Sequence, residues 1–381
     1  MAVSKTILNK AEISSSFSFH IFLVTFVTFF IHRRTFKSKR LILDDNREEK
    51  IMKTKIAGIV VCMMLIAVVL PVAGTINGGA YNESNSNIPI IPKEPSISPG
   101  DYFRFIRVGW HIRTYRIHIP QSYDEMNPMP LVISVHGFTS NSMSNEIMTG
   151  LSEKADEEGF IAVYPNGATD MLFLMFSRIL LGRYGRYWNA GFCCGNAVER
   201  DIDDVGFIRA LIENLQKNIN IDSNRIYVTG MSNGGMMSHR LGAEFSEIIA
   251  AIAPVTGTIG GRYRDGPLYI IPDPEHPVSV IIFHGMKDPL VPYEGSTNFI
   301  SVNESVSFWV EHNNCDTIPQ INISESGNII IRTYTNGNND TEVVFYTFVN
   351  GGHEWFGSDY FPSSESSATD LIWDFFTKHP K

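Results

Sequence analysis

The sequence predicts an α/β fold, with a mostly parallel central sheet covered by helices on both faces. Near-continuous apolar runs at 131–135, 161–164, 225–229, 248–252, 278–283 and 343–348 have the character of strands buried on both sides. Amphipathic helical patterns fall between them at 145–158, 205–218 and 234–244, and another at 369–378 closes the chain. Strands that alternate with such helices make parallel sheets. Phe103, Phe105 and residues 113–119 alternate in strand fashion and are expected to open the domain as a hairpin. Of the 381 residues 44% are hydrophobic and 19% charged, ample for one large core, and no internal repeat divides it.

The first hundred residues have a different character. An apolar run at 56–74 follows Met52-Lys53-Thr54-Lys55 and ends in Val72-Ala73-Gly74. A basic start, an apolar middle and a small-residue exit make a secretory signal peptide. Residues 52–74 are therefore expected to be a cleaved signal, with an uncleaved N-terminal anchor as the alternative, since about 20 apolar residues can span a bilayer. On that reading residues 1–51 are an upstream over-prediction, and the Asn-, Ser- and Pro-rich stretch 75–100 is a solvated linker to a catalytic domain at 101–381. Membrane contact is expected only through that N-terminal segment.

Charge divides in the same place. Residues 1–74 hold 11 Lys/Arg against 5 Asp/Glu, which leaves a net −15 on residues 75–381. So acidic a body repels phosphate backbones, and nucleic acid is excluded as a partner. Cys193, Cys194 and Cys315 lie beyond the signal. They lack zinc-ligand spacing, so no metal is expected. A ring between adjacent cysteines demands a distorted peptide, so the expected bridge joins Cys315 to Cys193 or Cys194.

The chemistry starts at Gly230-Met231-Ser232-Asn233-Gly234, between a strand pattern and a helix pattern. As a bare pattern, G-x-S-x-G recurs by chance in about one chain of this length in eight. The strand–turn–helix context gives it meaning, because a serine on that tight turn projects its hydroxyl beyond the sheet. A serine hydroxyl is a weak nucleophile and needs a base to take its proton. The acid and the histidine should follow in that order, each just past a later strand. Asp288 follows the run 278–283, and His353 follows the run 343–348 through Asn350-Gly351-Gly352. Among eleven histidines only His353 fits; His136 and His284 precede glycines and are expected to brace backbone, and His239 is expected to be structural. The predicted triad is Ser232, Asp288 and His353. Its oxyanion hole is expected to use the backbone N–H groups of Asn233 and of Phe138, in the loop after residues 131–135. This chemistry calls for no cofactor. A histidine base must be neutral, so activity is expected to fall on acidification.

Six ordered motifs carry a resemblance: Leu131 to Gly137; Trp188-Asn189-Ala190-Gly191 with Cys193-Cys194-Gly195; Asp203-Asp204-Val205-Gly206-Phe207-Ile208; Gly230 to Gly235; His284-Gly285 with Asp288; and Gly351-Gly352-His353-Glu354-Trp355. Together they resemble the secreted polyhydroxybutyrate depolymerase and feruloyl esterase-like α/β-hydrolases, over about 102–376. The resemblance implies a carboxylic ester hydrolase acting on a polyester oligomer or an acylated polysaccharide, with Trp188 lining the acyl or alcohol pocket. Phe356 stands where that family often has Pro, and the apolar stretch Met171 to Leu181 reads as an insert before Trp188. The bland expectation for this insert is a buried core helix, and its rival is a lid or docking surface.

Asp203 and Asp204 precede a helix and are expected to cap it, which argues against a paired-carboxylate site. Asn82, Asn303, Asn322 and Asn339 each open an N-x-S/T sequon and are expected to be exposed. Two rival functions remain. A prolyl-peptidase-like serine hydrolase shares the triad order, but only about 26 residues separate the signal from the domain, too few for a propeller. A non-catalytic binding module would be expected to lack a triad member.

Overall fold

The computed structural model describes residues 97–109, 111–168, 186–358 and 365–381. The chain divides into two units, Met1–Ile88 and Pro89–Lys381. The first, with the expected signal, lies outside the described residues. So does the apolar stretch Met171 to Leu181.

In chain order the second unit runs β1 (Gly100–Val108), β2 (His111–Ile119), β3 (Met129–Val135), α1 (Ser142–Thr149), α2 (Leu151–Glu158), β4 (Ile161–Pro165), α3 (Gly195–Glu199), α4 (Asp204–Asn218), β5 (Ile221–Met231) and α5 (Asn233–Glu244). It continues through β6 (Ala251–Val255), β7 (Gly260–Gly261), β8 (Tyr269–Ile270), β9 (Ser279–Gly285), α6 (Val302–His312), β10 (Gln320–Ile323), β11 (Ile329–Tyr334), β12 (Val343–Phe348) and α7 (Ala368–Lys378). Ten strands form one sheet in the order β1-β2-β4-β3-β5-β6-β9-β12-β11-β10. The middle six, β4 to β12, pair in parallel. An antiparallel hairpin closes each edge. Strands β7 and β8 make a small separate sheet.

The layers follow from strand alternation. On β3, Leu131, Ile133 and Val135 point into one core with Phe207 and Leu211 of α4, Met237 and Leu241 of α5, and Trp309 of α6. Val132 points the other way, into a second core with Leu151 and Ala155 of α2 and Ile372, Trp373 and Phe376 of α7. Helices therefore cover both faces. Among the described residues no helix is long and apolar enough to cross a membrane.

Several sequence expectations need correction. The helix expected at 145–158 is two helices, because Gly150 adopts φ 61° and ends the first. The strand expected at 248–252 starts later, at Ala251. Ile248 and Ile249 are in a turn, both bonded to the Phe245 carbonyl oxygen, and their apolar character reflects burial in that turn. Helix α6 and strands β10 and β11 were not anticipated. The buried stripe of α6, Val302, Ser305, Val306, Trp309 and Val310, has helical spacing but includes a polar serine, and every residue of β10 is exposed.

The cysteines also differ from expectation. The disulfide joins Cys193 to Cys194, and Cys315 is free and buried. Cys315 sits in the core beneath α6, where its thiol points at the Thr341 carbonyl oxygen. With Cys193 and Cys194 bonded to each other, neither is left to bridge Cys315. Of the two aspartates, Asp203 caps α4 by accepting from the Gly206 N–H at 2.7 Å. Asp204 is instead buried and ion-paired to Arg113 at 2.6 Å.

Candidate active site

Strand β5 ends at Met231 and α5 begins at Asn233, so Ser232 alone makes the turn. Its backbone adopts φ 59° and ψ −121°, which costs a residue with a Cβ about 1–3 kcal/mol. The surrounding structure holds it there: the Ser232 N–H donates to the Val255 carbonyl oxygen at 2.8 Å. A Cβ at Gly230 would stand 2.5 Å from the Val135 carbonyl oxygen, and one at Gly234 only 2.0 Å from it. Both flanking glycines are thus required by the close approach of the turn to the end of β3.

Parallel strands deliver the loops that follow them to one edge of the sheet. Asp288 comes just after β9, and His353 just after the neighbouring β12. Backbone hydrogen bonds zip the two loops together: the Met286 N–H donates to Phe348 at 2.9 Å, and the Lys287 N–H to Gly351 at 3.0 Å. Within this frame His353 Nδ1 lies 2.7 Å from Asp288 Oδ2. The other carboxylate oxygen accepts from the N–H groups of Leu290 and Val291, at 2.8 and 2.9 Å. Burial raises the Asp288 pKa, but the His353 contact and the two N–H groups outweigh it and hold the carboxyl below the usual range. Among the described residues Ser232 makes no hydrogen bond to His353. In free enzymes that contact is often long.

The loop after β3 approaches Ser232 from the other side. A Cβ on Gly137 would stand 3.6 Å from the Ser232 Cβ. His136 is fully buried and accepts at Nε2 from the Gly167 N–H at 3.0 Å, so its proton sits on Nδ1 and is donated to the Gly137 carbonyl oxygen at 2.8 Å. Burial lowers its pKa to about 4, so the ring is a neutral brace. The Phe138 and Asn233 N–H groups donate to no partner among the described residues, which leaves both donors free. The Phe138 ring is half exposed and rests on Tyr187, with centroids 4.9 Å apart.

The other two histidines also hold structure. His284 Nε2 lies 2.9 Å from the Val291 carbonyl oxygen, steadying the Asp288 loop. His239 accepts from the Trp309 indole at 2.9 Å in the core.

Trp188 differs from the pocket-wall place that the resemblance implied. It is fully buried, its indole N–H donates to the His136 carbonyl oxygen at 3.0 Å, and its ring stacks on Phe207. A side chain so enclosed has no face to offer a substrate. Its loop is secured by contacts that sequence reasoning missed, one of them made by Asp204, which was expected only to cap a helix. Asp204, paired to Arg113, accepts from the Asn189 N–H at 2.8 Å, and Arg240 donates to the Asn189 carbonyl oxygen at 2.8 Å. No local pattern signals these contacts, although the Trp188 and Asp203–Asp204 motifs each marked one end of them.

The fold has relatives among solved structures. An acetyl xylan esterase from Aspergillus awamori superposes with a TM-score of 0.50 at 14% identity, over 72% of this chain and 99% of that one. No family model matches the chain. Feruloyl esterase B of Piromyces equi is 26% identical over 62% of this chain, and feruloyl esterase C of Emericella nidulans is 25% identical over 82%. A bifunctional acetylxylan esterase/xylanase of Neocallimastix patriciarum is 26% identical over 45%. The chain is a homologue of these esterases. It has the α/β-hydrolase fold. The chain spans 42% of the Piromyces protein and 21% of the Neocallimastix protein, against 99% of the Emericella one.

Proposed function

We propose that the chain is a serine carboxylic ester hydrolase in which Ser232 is the nucleophile, His353 the base and Asp288 its partner. What supports the reading above all is the 2.7 Å Asp288–His353 contact at the same strand-end edge as the Ser232 turn. With its Nδ1 proton bonded to Asp288, the imidazole keeps Nε2 as a basic nitrogen. Ser232 Oγ bonds to the ester carbonyl carbon as its proton passes to Nε2. The charge developing on the carbonyl oxygen is taken by the Asn233 and Phe138 N–H groups. The bond to the alcohol then breaks, and the alcohol leaves with the proton from His353. Water, deprotonated by the same nitrogen, then bonds to the acyl carbon; the bond to Ser232 Oγ breaks, Oγ takes the proton back from His353, and the acid leaves.

The substrates we propose are feruloyl or acetyl esters of plant polysaccharide, after the names of the relatives. Polyester oligomers are the alternative that the sequence resemblance left open. We also propose secretion through residues 52–74, which agrees with a disulfide at Cys193–Cys194. Turnover of p-nitrophenyl acetate and butyrate, with and without a fluorophosphonate, tests the mechanism. The expected result is full inhibition with one adduct, on Ser232; undiminished turnover by labelled or unlabellable protein refutes the serine mechanism. Methyl ferulate, acetylated xylan and 3-hydroxybutyrate oligomers then sort the acyl group. N-terminal sequencing of exported protein, expected to begin near Thr75, checks the leader.

A further inference from the structure

The fully buried Asn233 side chain does something its backbone role does not require. Its Oδ1 accepts from the Trp188 backbone N–H at 2.9 Å, and its Nδ2 donates to the Trp188 carbonyl oxygen at 3.1 Å and to that of Cys193 at 3.3 Å. One amide thus grips both sides of a single residue on a distant loop. The loop is itself tight: the Cys194 N–H donates back to Trp188 and the Ala190 N–H to Cys193. From Trp188 the connection continues through the indole N–H to the His136 carbonyl oxygen at 3.0 Å. The His136 ring then holds the Gly137 carbonyl oxygen at 2.8 Å, one residue before Phe138.

These bonds form a continuous chain that starts at Asn233 and ends beside Phe138. Its two ends carry the N–H groups assigned to the oxyanion hole. We propose that the Trp188 indole and the Asn233 side chain are positioning residues that hold those two N–H groups at a fixed separation. This rests on the serine-esterase reading above. An oxyanion hole works by preorganisation: donors must already stand where charge will develop, and small misplacements forfeit much of the effect. Two loops and a helix start that met only through apolar packing would leave the separation soft. Hydrogen bonds between buried partners are directional and costly to break, so they fix it.

Trp188→Phe keeps an aromatic ring and removes the N–H that ties it to His136. Asn233→Ala keeps the backbone donor and removes the grip on Trp188. The assay compares each variant with wild type on an ester and on its thionoester, whose C=S carbon accepts attack but whose sulfur is larger and a poorer hydrogen-bond acceptor. A tuned hole favours the ester. In each variant kcat for p-nitrophenyl acetate should fall by about tenfold to a hundredfold, less than the roughly 10²–10³ lost with an entire donor. KM should stay within about twofold, and the ester-to-thionoester rate ratio should fall at least fivefold relative to wild type. General damage to the fold would lower both rates together, so an unchanged ratio in a variant that folds overturns the proposal. If neither variant folds, the bonds serve stability and the proposal is likewise overturned. Fluorophosphonate labelling of the wild type separates the two levels. An unlabelled wild type defeats the serine mechanism, whereas a labelled one with variants of unchanged ratio defeats only the positioning role.

Discussion

The two flanks of Ser232 are built differently. On the side of the proposed acid and base, Asp288 and His353 sit on short loops just after adjacent parallel strands, and backbone hydrogen bonds join the loops. On the side of the proposed oxyanion hole, the segments around His136, Trp188 and Asn233 are 52 and 45 residues apart in sequence and meet through buried side chains. The first flank inherits its geometry from the sheet. The second has to be assembled from individual polar contacts, each of which a single substitution can remove. Damage on the first side should therefore read out as lost chemistry, and on the second as graded misalignment or lost stability.

The largest expected effect lies at the junction of the two. Ser232→Ala should lower p-nitrophenyl acetate turnover by about four to six orders of magnitude with the folded circular-dichroism spectrum retained. A residual rate within tenfold of wild type would sink the assignment. Asp288→Asn probes the acid–base flank alone. It removes the carboxylate that orients His353 while leaving the backbone zipper in place, and kcat should drop by about four orders of magnitude. Steady-state kinetics giving a loss under a hundredfold would show that the 2.7 Å contact is not catalytic.

Acid should weaken the oxyanion flank and the core through buried neutral histidines. Burial lowers His136 to about 4 and His239 to about 3. A depressed histidine pKa means that the unfolded chain takes up the proton first. The stabilisation is complete above about pH 6.5 and is lost as pH falls towards the folded values, by about 1.4 kcal/mol per unit for each ring. Urea unfolding should therefore give a stability about 4 kcal/mol lower at pH 5 than at pH 7. A flat profile over that range would mean that the rings are solvated.

The smallest effect belongs to Cys315, which takes part in neither flank. Burial pushes its thiol up to about 11. Iodoacetamide should leave it untouched in the native protein and modify it after unfolding. Cys315→Ala should cost about 1 kcal/mol of stability without changing kcat. Peptide mapping without reductant should recover Cys193 and Cys194 linked to each other; a bridge to Cys315 would restore the original expectation.

Much was legible in the residues themselves. Apolar runs of strand length located the parallel core, because strands buried on both faces leave that mark wherever they occur. Gly230 to Gly234 announced a strand–turn–helix by local sterics, and chain order placed Asp288 and His353 past later strands, since strand ends in a parallel sheet share an edge. Tertiary structure alone decided the rest. Trp188 is a brace and not a pocket wall, because its indole meets a carbonyl 52 residues away. Asp204 pairs with Arg113, 91 residues distant, although its position in sequence reads as a cap. Cys315 remains a buried thiol in the core, because Cys193 and Cys194 pair with each other. Local periodicity records which face of an element is buried. It carries no record of which remote polar atom a buried side chain will find, and such meetings join the Asn233, Trp188 and His136 segments.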